Sequence, residues 1–307
     1  MTTDLFVLTR AVHFGACLLL FGWITFGLVV VTPIRNPVFL DFWRQGLRRC
    51  EWILLPVMLV SGATWFALVA VNMSGGPLGA DILKTVWLQT QFGTVWQCRS
   101  LLWLAATVIA VISLITKTSA PIRNLLSWLQ LCLAACLLGS LAWAGHGRES
   151  SHWHLLADIL HLLVAGIWPT GLLPLLLLLH QLRHSTGTSQ TPGAIPLIRQ
   201  FSITSIVSVA LLTATGLVNS WYLAGSPSHL LSQPYGRWLL LKVCLFLLAV
   251  AIGAVNLLRL RPRLSSPATA SPALAQIRRN VLLELILVTA VIIIVAILGI
   301  LPPAVAP

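Results

Sequence analysis

The stretch from Gly145 to Leu175 gathers four of the chain's eight histidines, His146, His152, His154 and His161, around one acid, Asp158. From Leu155 onward it turns apolar in a helical pattern. At about 100° per residue, steps of four and three bring His154, Asp158 and His161 onto one helix face, and Trp168 continues that stripe. Imidazole beside carboxylate is the donor pairing that divalent and redox metals seek. Polar groups at the mouth of an apolar helix are costly, so a use is the default expectation.

Two more imidazoles belong with them. His13 stands near the start of the first apolar segment and His146 at the exit of the fourth. The candidate metal site is therefore drawn from His13, His146, His154, Asp158 and His161. His152, in the preceding loop, is placed to assist capture, while His180, His184 and His229 read as interfacial anchors. Asp158 either orients an imidazole or binds metal directly. Met73 and the pair Cys132 and Cys136 are softer donors, although small cysteines are ordinary in apolar helices.

The elements that must position these residues are membrane helices. Hydrophobic residues make up 58% of the 307 and charged residues 8%. Apolar runs recur at roughly 10–31, 52–71, 97–116, 124–144, 155–179, 201–223, 237–258 and 280–301, each near the length that crosses a hydrocarbon core of about 30 Å. Their continuous apolar character indicates helices, since barrel strands would alternate. The expected fold is an all-α polytopic membrane protein of eight transmembrane helices. The first segment lacks a small-residue cleavage site and reads as a retained helix.

A net charge of +12 invites a nucleic-acid reading, but its distribution refutes it. The connections 32–51, 117–123, 180–200 and 259–279 hold thirteen of the nineteen Lys and Arg. Arg10, Lys84, Arg99, Arg148 and Arg237 fall on the other side, and Lys242 lies inside a helix. This is the positive-inside bias, which places both termini outside the cytoplasm. The six cysteines form no loop pairs suited to a disulfide framework. No P-loop, nucleotide fingerprint or hydrolase triad occurs, so no enzymatic turnover is expected. Arg99 and Lys242 either snorkel outward or turn inward toward an anionic partner. Glu284 is expected to pair with a loop arginine.

The halves resemble each other. Phe92-Gly93 precedes Arg99 as Tyr235-Gly236 precedes Lys242, with seven residues from aromatic to cation in both. Ser61-Gly62 with Trp65 is matched by Thr215-Gly216 with Trp221, at a different spacing to the tryptophan, and His13 by His161. The pattern predicts a tandem four-plus-four duplication, residues 1–149 and 150–307, forming one membrane domain about an axis along the membrane normal.

Gly145-His146, His154, Asp158, His161-Leu162-Leu163, Trp168 and Gly171-Leu172-Leu173-Pro174 together resemble the signature of the copper resistance protein D (CopD) family. The likeness extends to Gln89-Thr90-Gln91-Phe92-Gly93, Tyr235-Gly236-Arg237, Lys242, Asn256 and Leu301-Pro302-Pro303. It implies an eight-helix inner-membrane protein of copper homeostasis, linked to uptake from the periplasm and often working beside a CopC-like periplasmic copper-binding protein. Two departures stand out. The family usually has Gly-Gly after the tryptophan and one further residue, where this chain reads Pro169-Thr170-Gly171, and Ala304-Val305-Ala306-Pro307 lacks the histidine that many members carry after the closing Pro-Pro. By the repeat, that histidine would be the counterpart of His146. The expected function is copper transport through an outer histidine site. The competing classes are a redox protein holding b-type haem, with Arg99 and Lys242 on its propionates, and a non-transporting docking partner for a periplasmic copper carrier.

Overall fold

The computed structural model describes residues 2–116, 119–144, 151–184, 190–224 and 227–302. His146 and the C-terminal Ala304–Pro307 lie outside the described residues, as do the side chains of His184 and His229. Every regular element among the described residues is helical. In chain order these are α1 (Thr2–Thr25), α2 (Pro37–Ser74), α3 (Ala80–Gln89), α4 (Gln91–Ile115), α5 (Ala120–Gly139) and α6 (His152–Ala165). They continue as α7 (Trp168–His184), α8 (Gln190–Ala224), α9 (Pro227–Ser232), α10 (Pro234–Val255) and α11 (Pro267–Leu298). Eight spans among them are long and apolar enough to cross a membrane, with α6 and α7 together forming the fifth. The chain is an all-α polytopic membrane protein.

Local sequence explains the boundaries. The Asn36 side chain accepts from the backbone N–H groups of Val38 and Phe39, and Pro37 opens α2 where no N–H is needed. The Thr90 hydroxyl accepts from the Gly93 N–H and starts α4. The fifth span breaks at Gly166-Ile167 because Pro169 has no N–H to return to Ala165. Three helices begin earlier than their apolar runs: α2 at Pro37, α8 at Gln190 and α11 at Pro267. Hydropathy marks only the turns lying in hydrocarbon, and these helices extend past it.

α1 is the central helix, packed against α2, α5, α7 and α11. Glycine lets its neighbours approach. A Cβ at Gly22 would strike Thr170 on α7; one at Gly46 on α2 would strike the Trp23 ring. Past the end of α1, a Cβ at Gly27 would strike Trp43. The two indoles lock α1 to α2 reciprocally: Trp23 Nε1 donates to the Trp43 carbonyl at 3.2 Å, and Trp43 Nε1 to the Trp23 carbonyl at 3.0 Å.

The pairings of the first half recur in the second. α1 lies on α2 as α6 and α7 lie on α8, and α4 on α5 as α10 on α11. The short α3 leads into α4 as α9 leads into α10, and α1 meets α5 as α7 meets α11.

Candidate functional site

The polar residues inside the bundle form two clusters of the same plan and opposite charge preference. In the first half, His13 on α1 is 2% exposed. Arg99 Nη2 lies 2.7 Å from His13 Nε2, and a guanidinium can only donate. Nε2 therefore accepts, and the ring proton sits on Nδ1, which donates to Ser61 Oγ at 3.0 Å. Ser61 passes its own proton to the Val57 carbonyl at 2.6 Å. Both His13 nitrogens are thus engaged. Arg99 also donates to the Leu137 carbonyl and to Ser140 Oγ. It is buried and turned inward, which settles the choice against snorkelling for this residue.

In the second half, His161 Nδ1 lies 2.9 Å from Thr215 Oγ1. That hydroxyl gives its proton to the Leu211 carbonyl at 2.7 Å, so it accepts from His161. The Nε2 lone pair is left without a partner among the described residues. An imidazole with its far N–H anchored and its near nitrogen bare is the form that ligates metal. One turn back, Asp158 Oδ1 accepts from Asn219 Nδ2 at 3.2 Å. The Asn219 Oδ1 is buried and unpartnered. Lys242 on α10 acts electrostatically on both Asp158 and His161.

The correspondence runs residue by residue. Three positions before the histidine stands Arg10 in the first half and Asp158 in the second. Three positions after the Ser61-Gly62 or Thr215-Gly216 pair stands Trp65 in the first half and Asn219 in the second. Arg10 lies 4.8 Å over the Trp65 ring, where Asp158 instead meets Asn219. The first cluster leaves donors unpaired, at Arg10 Nε, Trp65 Nε1, Trp96 Nε1 and Arg99 Nε, while the second leaves an acceptor unpaired at Asn219 Oδ1. Buried orphans indicate what each cluster lacks. The first lacks an acceptor and the second a donor or other electropositive partner.

The sequence-derived residues are thus divided. His154, Asp158 and His161 share α6; His154 is 1% exposed and stacks on Tyr222, with centroids 4.8 Å apart. His13 belongs to the other cluster. No three His, Cys, Asp or Glu side chains among the described residues converge as a ready metal cage. Cys132 and Cys136 are exposed on α5, as is Met73 at the end of α2. Glu284 accepts not from a loop arginine but from Asn256 Nδ2 at 2.8 Å, and Asn256 in turn accepts from Asn280.

Residues 1–156 match the N-terminal domain of the copper resistance protein D-like family, and 195–298 match copper resistance protein D. The chain is also 30% identical to the copper resistance protein D of Pseudomonas syringae pv. tomato, over 99% of its length and 98% of that protein. The chain belongs to the copper resistance protein D family. Inner membrane protein YebZ of Escherichia coli K12 is 30% identical over 83% of this chain and 84% of its own. Copper transport protein CutJ of Bacillus subtilis 168 is 26% identical over 72% of this chain and 42% of its own. Within this CopD-family chain, side-chain type did not single out the partners of the candidate residues: Ser61 on His13, Thr215 on His161 and Asn219 on Asp158. Their signal was positional: both hydroxyls precede the repeated glycine.

Proposed function

We propose that the chain handles copper at the bacterial inner membrane and carries it inward from the periplasm, with both termini on the periplasmic side. The entry site is Asp158 and His161 on α6, completed by Asn219 Oδ1, with His154 one turn beyond Asp158 and His146 available from the adjoining segment. The carrying observation is the anchored His161, whose Nε2 has no hydrogen-bond partner among the described residues, one helical turn from Asp158, whose amide partner Asn219 keeps an orphan Oδ1. Nitrogen and oxygen donors suit the cupric ion better than the cuprous ion, which prefers sulfur. Lys242 is the resident positive charge that offsets Asp158 when no metal is bound, and copper takes its place electrostatically. His13, with both nitrogens engaged, holds the first half in register and joins the ligand set only if Arg99 releases it. The repeated pairings and the two matched clusters support a tandem duplication in which one half kept the metal chemistry. A CopC-like periplasmic protein is the natural source of the ion.

Purified protein titrated with cupric ion tests this reading. His161→Ala is expected to weaken binding by roughly ten- to hundredfold, and His229→Ala to leave it within about twofold. Equal small losses would reduce the α6 stripe to interfacial anchoring. A Soret band in the purified protein, with no bound copper, would favour a haem-binding redox protein instead.

A further inference from the structure

A cavity of about 480 Å³ lies in the first half between α2, α3 and α4. That volume is within the range of sites that enclose one small organic molecule. Its wall is mostly apolar, with Leu59, Ala63, Phe66, Leu88 and Trp103 among its residues. Leu59 and Leu88 at its edge are exposed, and α2 and α4, which flank it, are apolar helices of membrane-crossing length. The charged residues lining it are Lys84 and Arg99, with no Asp or Glu. Arg99 is 3% exposed, and each of its hydrogen-bonding partners is neutral: a carbonyl, a hydroxyl, the His13 ring nitrogen and the Cys17 sulfur. A guanidinium buried in a membrane protein without a carboxylate is costly. Two N–H groups on the lining residues, Arg99 Nε and Trp96 Nε1, have no acceptor.

We propose that this cavity binds an anionic amphiphile drawn from the lipid phase, its head on Arg99 and Trp96 and its chain along the apolar wall. The anionic head, set against the end of the cavity that Arg99 and Trp96 line, neutralises the buried guanidinium. Lys84, exposed beside the cavity, adds attraction at its rim. The reading is independent of copper, since nothing in this cluster offers a free metal ligand.

The test uses the full-length protein in a neutral detergent and a dansyl-labelled long-chain fatty acid, read by energy transfer from the tryptophans of the cavity. Saturable transfer is expected, displaced by oleate and not by methyl oleate. Displacement by a short-chain phosphatidylglycerol would assign the head to phospholipid, and its failure to a free fatty acid; either supports an anionic amphiphile. Arg99→Gln should weaken the probe by about tenfold or more. Ala63→Phe, at an exposed position of α2, should block the cavity while leaving copper binding and the helical spectrum unchanged, so a folding defect in the Arg99 variant would not leave the question open. Equal displacement by methyl oleate or by a short-chain ubiquinone would overturn the proposal, as would unaltered probe binding in Ala63→Phe.

Discussion

At the scale of single residues, the chemistry turns on what each imidazole does with its second nitrogen. His13 and His161 are both anchored through Nδ1 to a hydroxyl on the next transmembrane helix. They differ in their neighbours: Arg99 occupies Nε2 of His13, whereas Nε2 of His161 has no hydrogen-bond partner among the described residues and Asp158, one turn back, is held by Asn219. On the proposed reading the Thr215 anchor belongs to the metal site without touching the ion. Thr215→Val keeps the shape and removes the acceptor, leaving the His161 tautomer unspecified. Copper affinity is expected to fall by roughly tenfold, with the helical spectrum unchanged. A Thr215→Val protein that binds copper as the parent does would show that the hydroxyl merely satisfies the ring. The α6 stripe of His154, Asp158 and His161 was legible from spacing alone, because one helix fixes which side chains share a face. The division of His13 from that stripe was not, because it depends on which helices pack together. Arg99 and Lys242 were recognisable as membrane cations, but their inward orientation is set by partners far away in sequence.

At the scale of elements, α1 makes the bundle possible because small residues let bulky ones interlock. The Trp23 and Trp43 indoles each donate to the other's backbone carbonyl, over Gly46 and Gly27. Gly27→Val would place a branched side chain where the Trp43 ring now lies. Thermal unfolding in detergent should show a loss of about 1–3 kcal/mol for this overpacking, while Gly79→Val, in an open loop, should be near neutral. Equal stabilities for the two variants would contradict the interlocked interface. The eight apolar runs were legible because hydrocarbon demands long unbroken hydrophobic segments. Their ends were read short: α2, α8 and α11 continue past the apolar boundary, and hydropathy has no term for helix that persists in a polar environment. The break between α6 and α7 follows from Pro169, which has no N–H to return to Ala165.

At the scale of the whole molecule, two halves of matching plan carry opposite requirements, one for an acceptor and one for an electropositive partner. The proposed duplication, followed by division of labour, would produce both the recurring helix pairings and the charge reversal from Arg10 to Asp158. The orientation in the membrane sets which face the metal site meets. In a cysteine-free background, a cysteine at position 226 should react with an impermeant reagent from the periplasm, and one at position 266 should not; labelling at 266 from outside would place the α6 site on the wrong face. The central claim is inward movement of copper through Asp158 and His161, and cellular copper accumulation tests it most directly. Cells lacking the protein are complemented with the parent chain or with Asp158→Asn or His161→Ala at matched expression, in limiting external copper. The parent is expected to raise cell copper, and each variant to return it to the level of cells without the protein. Accumulation by the variants equal to the parent, or a fall in cell copper on expressing the parent, would contradict the account.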